Sequence, residues 1–200
     1  MTKNNEIKKR TSIWKNTVDL PNFEKLENNI EVDIAVVGGG ITGLLIAYYL
    51  KQSGRNVVVF EKNKIGMGIT KNTTAFISSQ HDRLYSEMID KEGYDKAKLY
   101  FDANQMAIFE YKKLSQKFNF DFEELSSFVY TTKEDCVIEK EREALEKLGA
   151  NPLIKTEIDL PFAIKKAVEI PNQAQMNPLK LIKGICQNLK IYERTKYFKN

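Results

Sequence analysis

Gly38, Gly40 and Gly43 stand at the spacing G-x-G-x-x-G, and Glu61 follows the last of them by 18 residues. An apolar run at 34–37 leads into the glycines, a second at 44–50 leaves them, and a third at 57–60 ends in the acid. Residue types in this order can grip a diphosphate and a sugar. Gly38 permits a tight turn out of a strand, Gly40 lacks the Cβ that would hold backbone amides away from a pyrophosphate, and Gly43 lets the next helix lie close on the sheet. The unpaired N–H groups at the helix start then face the anion. Glu61, at the tip of the second strand, is placed to bond a ribose 2′-hydroxyl and would repel a 2′-phosphate. The motif by itself leaves FAD and NAD open.

The elements that must hold these residues follow from periodicity. Residues 32–37 read as a first parallel strand, 41–52 as the phosphate-facing helix, Ser53-Gly54 as its stop, and 56–60 as the second strand. After Glu61 the chain enters a glycine-punctuated loop, Lys62-Asn63-Lys64-Ile65-Gly66-Met67-Gly68-Ile69-Thr70, and then Lys71-Asn72-Thr73-Thr74-Ala75. A nicotinamide-binding domain continues here into another crossover helix, so a second polar loop favours a larger cofactor. Residues 70–77 read as a short helix or turn. Apolar residues over 82–118 have helical spacing with a break at Gly93, and Ala97, Tyr100, Phe101, Asn104, Ile108, Tyr111 and Phe118 share one face, a core stripe. Residues 128–132, 153–158 and 167–170 read as short strands, 134–148 as a helix stopped by Gly149, and 190–197 as a closing strand. Asn177 caps a helix whose first residue is Pro178. Trp14 anchors an extended N-terminal arm of about thirty residues.

Composition narrows the classes. The chain has 200 residues, 42% of them apolar, enough for a core, and 29% charged. Its 31 lysines and arginines are interleaved with 27 acids for a net charge of +4, a solvated surface and not a nucleic-acid stripe. Cys136 and Cys186 lack any paired spacing, so neither a metal site nor a structural disulfide is expected. No apolar run approaches membrane-spanning length, and a soluble, cytoplasmic protein is expected. His81, the only histidine, reads first as a surface or packing residue, with a flavin-side or substrate role as the sharper alternative. Glu123-Glu124 and the charges of 134–147 read as solvated surface. Tyr111-Lys112-Lys113 has the wrong spacing for the Tyr-x-x-x-Lys of a short NAD-dependent reductase.

The segments Val36-Val37-Gly38-Gly39-Gly40-Ile41-Thr42-Gly43, Val59-Phe60-Glu61-Lys62 and Ile65-Gly66-Met67-Gly68-Ile69-Thr70 resemble the FAD-dependent oxidoreductases of the D-amino-acid oxidase and glycine oxidase superfamily. Thr70-Lys71-Asn72-Thr73-Thr74-Ala75 with Gln80-His81, and Pro171-Asn172-Gln173-Ala174-Gln175 with Asn177-Pro178-Leu179, are similar to a branch that often carries a C-terminal Rieske domain. The resemblance implies an α/β fold: a Rossmann-like FAD-binding domain with a parallel sheet, and part of an inserted α+β substrate cap. It assigns 1–30 to an arm, 31–118 and 171–200 to an incomplete FAD domain, and 119–170 to a partial cap. It implies that the backbone of Gly38, Gly40, Ile41, Thr42 and Gly43 holds the pyrophosphate, with Glu61 on the adenosine ribose and Lys62 over the adenine edge. Gly68 and Thr70 would approach the pyrophosphate or ribityl chain, and Thr73 and Thr74 the flavin ring.

The implied chemistry is hydride transfer to flavin from an amine or amino acid, with no metal and no base of special signature. Members continue well past the last residue here, through further strands, an Ala-Thr-Gly type motif and a C-terminal Gly-Asp motif. The expectation is therefore a truncated or split flavoprotein, with a second polypeptide completing the fold. The alternative is a non-catalytic dinucleotide-binding remnant or interaction module.

Overall fold

A computed structural model describes residues 12–81, 83–134 and 136–198. In chain order the elements are β1 (Ile34–Val37), α1 (Ile41–Gln52), β2 (Val57–Phe60), β3 (Phe76–Ile77), α2 (Tyr85–Glu92), α3 (Tyr94–Ser115), β4 (Glu123–Thr131), α4 (Val137–Lys147), β5 (Leu153–Lys155), β6 (Lys166–Gln175), α5 (Pro178–Cys186) and β7 (Lys190–Tyr192). Short 3-10 turns lie at Ile13–Asn16 and Thr70–Asn72. The described residues form two compact units. The first runs to Thr74, takes in Phe118–Phe120, and resumes at Asn177; the second holds Ala75–Lys117 and Asp121–Met176.

The first unit is a parallel sheet in the order β1-β2-β7. β2 is central and fully apolar, with Val57, Val58 and Val59 buried, as a strand covered on both faces must be. α1 buries Leu44, Ala47 and Tyr48 and packs on α5, which buries Leu179, Leu181, Ile182 and Ile185. α5 begins as the sequence reading has it: the Asn177 side chain accepts from the amides of Leu179 and Lys180, both at 3.2 Å, and Pro178 stands where no amide is needed. Phe118 returns to this unit because Gly184 leaves room for its ring, and the ring meets Tyr48 edge-on.

The second unit is antiparallel. β6 pairs along its whole length with β4 on one edge, and with β5 and then β3 on the other. The register shifts between Leu125 and Ser127, opposite Pro171 and Asn172. Pro171 lacks the amide a regular ladder requires, and Asn172 has a φ of 59°, so the extra residue is carried as a bulge. Helices α2, α3 and α4 cover this sheet through Tyr85, Met88, Ala97, Phe101, Ile138, Leu145, Val168 and Ile170.

That core places the unit boundary away from the sequence division at 118/119 and 170/171. α2 and α3, expected with the dinucleotide-binding part, bury Tyr85, Met88 and Phe101 against α4 and β6 instead, and Gln173 to Met176 stay with the antiparallel sheet. Two further expectations change. β4 starts at Glu123 and not at 128, which makes Glu123-Glu124 strand residues; Lys112 pairs with Glu124 at 2.8 Å, and Gln175 donates to Glu123 at 2.7 Å. Glu141, within the charged run 134–147 read as solvated but on the helix side shared with Val137, Ala144, Leu145 and Leu148, is fully buried. Its carboxylate accepts from the amides of Tyr85 and Ser86, both at 2.9 Å, and so caps the first turn of α2 from a neighbouring helix.

Candidate dinucleotide site

The turn from β1 into α1 is built by four glycines for different reasons. Gly38 has a φ of 111°, which a side chain rarely tolerates. A Cβ on Gly43 would lie 2.1 Å from the Gly38 carbonyl oxygen, so helix and strand can approach only because it is absent. A Cβ on Gly39 would lie 2.7 Å from Ile65 and 3.1 Å from Glu61. Gly40 differs from all three. Its backbone angles, −79° and 177°, suit any residue, and the only neighbour of an added Cβ within 4 Å would be Thr70 Oγ1 at 3.4 Å. The fold does not require glycine there, and the space it leaves opens onto the helix N-terminus.

At that terminus no described residue accepts from the amides of Gly40, Thr42 or Gly43. Ile41 differs from the expectation, because its amide donates to Thr70 Oγ1 at 3.1 Å. Thr70, from the loop after β2, therefore sits at the mouth and caps one of the four donors. Glu61 is there as well: one carboxylate oxygen accepts from the Gly39 amide and the other from the Asn63 amide, both at 2.8 Å. Each oxygen keeps a lone pair for a hydroxyl donor. Lys62 and Gly68 are exposed on the same loop, and a Cβ on Gly68 would touch nothing within 4 Å. Thr73 is tied to this cluster through its amide, 3.4 Å from the Thr70 carbonyl, and its own carbonyl accepts from Trp14 Nε1 at 2.8 Å; Thr74 is exposed. His81 is exposed and lies in the other unit.

The loop is held by residues that sequence reasoning did not select. Glu193, just past β7, is fully buried and accepts from the Ile65 amide at 2.9 Å and the Phe23 amide at 3.3 Å. The Gly66 amide donates to the Gly39 carbonyl at 2.9 Å, and the Glu61 amide to the Tyr192 carbonyl at 2.8 Å. Thr195 Oγ1 accepts from the Leu26 amide at 3.1 Å, so the N-terminal arm is strapped to the segment after β7. Ser12 Oγ donates to the Lys71 carbonyl. These contacts fix where Glu61 and Thr70 stand, yet they join positions as much as 170 residues apart. A lone acid at a strand end is the only local sign of Glu193.

The arrangement is an anion cradle beside a carboxylate, and the residues fit the adenosine diphosphate half of FAD. The FAD dependent oxidoreductase family matches residues 33–196. The chain belongs to this family. Its cofactor is FAD, and the α/β architecture with its parallel sheet is that of the family's Rossmann-like fold. A Bacillus subtilis protein named as a Rieske 2Fe-2S iron-sulfur protein, YhfW, is 38% identical over 191 residues, covering 91% of this chain and 38% of its own. Glycine oxidase from Geobacillus kaustophilus has the same fold at a TM-score of 0.68 and 20% identity, over 84% of this chain and 48% of its own. L-Amino acid deaminase from Proteus myxofaciens superimposes at 0.70 and 14% identity, over 89% and 41%. The chain therefore spans less than half the length of these relatives. Among the described residues no helix is long and apolar enough to cross a membrane, and no group of three or more His, Cys, Asp or Glu side chains could hold a metal ion.

Proposed function

We propose that the chain grips FAD for the oxidation of a small amine or amino acid, with hydride leaving a C–H bond next to nitrogen. The observation that carries this reading is Gly40: its missing Cβ serves neither backbone nor packing, and it opens the mouth where three amides stand unmet. The amides of Gly40, Thr42 and Gly43 hold the diphosphate, with Gly38 shaping the turn and the Ile41 amide shared with Thr70. Glu61 takes the adenosine ribose and Lys62 the adenine edge. Gly68 and Thr70 flank the diphosphate or ribityl chain, and Thr73 and Thr74 approach the flavin ring. When bound, the flavin supplies the hydride acceptor, and the protein's share is to bind, orient and exclude water.

The substrate class is supported by relatives whose names are glycine oxidase and L-amino acid deaminase. Turnover draws on the further fold that these relatives carry, supplied by more of the same polypeptide or by a second one. Two facts support this: the chain covers 48% of the glycine oxidase, and β1 is an edge of its sheet among the described residues, with Val37 57% exposed. A Rieske-type electron partner is suggested by the name of the Bacillus subtilis relative.

The test is direct. The purified chain is mixed with FAD and desalted, and its visible absorbance is read before and after glycine, proline, sarcosine or a polyamine derivative is added. Retained yellow colour is expected, with bleaching once the remainder of the fold is present. A colourless protein would refute the cofactor site.

A further inference from the structure

Trp14 is the only tryptophan of the chain, and its indole N–H is spent on a loop backbone. Nε1 donates to the Thr73 carbonyl at 2.8 Å, and Ser12 Oγ, two residues earlier, donates to the Lys71 carbonyl. These two bonds hold the 3-10 turn Thr70–Asn72 from outside. The turn has little to hold it from within: it is three residues long, Ile69 gives it no side-chain cap, and its closing bond, from the Thr73 amide to the Thr70 carbonyl, is stretched to 3.4 Å.

The arm that supplies these donors is anchored in turn. Ser12 Oγ accepts from the Trp14 amide at 3.2 Å, and the Trp14 carbonyl accepts from the Thr17 amide at 3.0 Å and the Thr17 hydroxyl at 2.6 Å. Thr17 Oγ1 accepts from Asn177 Nδ2 at 2.9 Å, and Asn177 is the cap of α5, its Oδ1 taken by the amides of Leu179 and Lys180. Backbone amides only donate and carbonyls only accept, so the sense of every one of these bonds is fixed. Leu20 is buried, and with Leu179 and Ile182 it closes round Gly66, where an added Cβ would lie 3.1 Å from each. A buried helix thus holds the loop after β2 by way of the arm, and all of these residues belong to the first unit. What the turn places is Thr70. Its Oγ1 accepts from the Ile41 amide at 3.1 Å and would stand 3.4 Å from a Cβ on Gly40. An amide cannot take the hydroxyl proton, and among the described residues nothing else accepts it.

We propose that Trp14 is a positioning residue for the diphosphate: by holding the Thr73 carbonyl it sets the turn that carries Thr70, whose hydroxyl proton is given to a phosphate oxygen at the mouth. The inference rests on the FAD reading above. A donor fixed before its ligand arrives loses less freedom on binding, so slackening the turn weakens binding although Trp14 itself touches no ligand.

FAD affinity is measured by quenching of flavin fluorescence in the parent, Trp14→Phe, Thr70→Val and the double variant, with circular dichroism showing that each is folded. Phenylalanine keeps a ring and removes the N–H, so Trp14→Phe should raise the dissociation constant about 3- to 10-fold, the worth of one hydrogen bond. Made on Thr70→Val, the same change should add less than about twofold, whereas on Thr70→Ser, which keeps the hydroxyl, it should have its full effect. An equal effect with and without the Thr70 hydroxyl would mean general slackening of the fold and would overturn the proposal. A second measurement needs no substitution: the 15N-labelled parent has a single indole N–H resonance, which should shift as FAD is added, and a fixed resonance in a protein that binds FAD overturns the proposal too. A parent that binds FAD beside a Trp14→Phe chain that binds it equally well sinks this inference alone. A parent that binds no FAD removes the cofactor reading, and this inference with it.

Discussion

Gly40→Ala separates binding from folding at the dinucleotide mouth. The backbone there lies where alanine is at ease, and the new Cβ would make one ordinary contact, 3.4 Å from Thr70 Oγ1. Loss of a glycine N-cap destabilises by several tenths of a kcal/mol, while the stiffer unfolded chain returns about 0.4–1 kcal/mol. The two nearly cancel, so stability should change by less than about 1 kcal/mol. Binding should not be spared. The methyl group stands at the lip of the mouth, and displacing a diphosphate from one charge-assisted amide contact forfeits about 1.5–3 kcal/mol. That corresponds to a roughly 10- to 100-fold rise in the dissociation constant. Urea unfolding gives the first quantity, and quenching of flavin fluorescence on titration gives the second. Gly43→Ala is the control: its Cβ would meet the Gly38 carbonyl at 2.1 Å, an overlap that should cost at least about 1–3 kcal/mol of stability. A Gly40→Ala protein that is folded and binds FAD as the parent does would refute the assignment of this mouth.

Three other outcomes follow from Glu193, Cys186 and the half-buried Glu169. Glu193→Ala strands the amides of Ile65 and Phe23 and should lower stability by about 2–4 kcal/mol, with weaker FAD binding through the loosened loop; unchanged urea unfolding would show that the loop is held otherwise. Burial pushes the Cys186 thiol up to about 11, whereas Cys136 is exposed, so a thiol reagent at pH 8 should label one site in the native protein and two after denaturation, counted by mass. Glu169 is held below the ordinary glutamate range by the Ser126 hydroxyl at 2.5 Å, against the opposing effect of burial and helped by Lys155 at 3.2 Å. Its folded value is the lower one, so its stabilisation is whole above the unfolded value of about 4.3 and drains away as pH falls through the folded value. Glu169→Gln should flatten the acid limb of stability against pH, and an unaltered limb would remove Glu169 as its source.

Much of the first unit is legible in the residues because its determinants are local. The helix over 41–52 has the bounds that its apolar spacing and the Ser53-Gly54 stop imply, and Asn177-Pro178 starts α5 by contacts within three residues. The demand for glycine at 38 is likewise a matter of one residue's own backbone angle. Strand ends were less legible: β7 stops at Tyr192, where Glu193 turns inward to meet Ile65 and Phe23, so the expected strand to 197 is cut short by a bond to distant chain.

Tertiary structure decided the rest, and the reason is reach. An acid looks solvated in any local window until the amides that face it are known, and those facing Glu141 and Glu193 lie 55 to 170 residues away in sequence. The same holds for the grouping of α2 and α3 with β6, which rests on Tyr85 and Phe101 sharing a core with Leu145 and Val168. Sequence marked the glycine-rich turn after β1 and the acid at the end of β2. Only the packed chain distinguished the glycines that the fold itself requires from Gly40, which neither its backbone angles nor its packing demands.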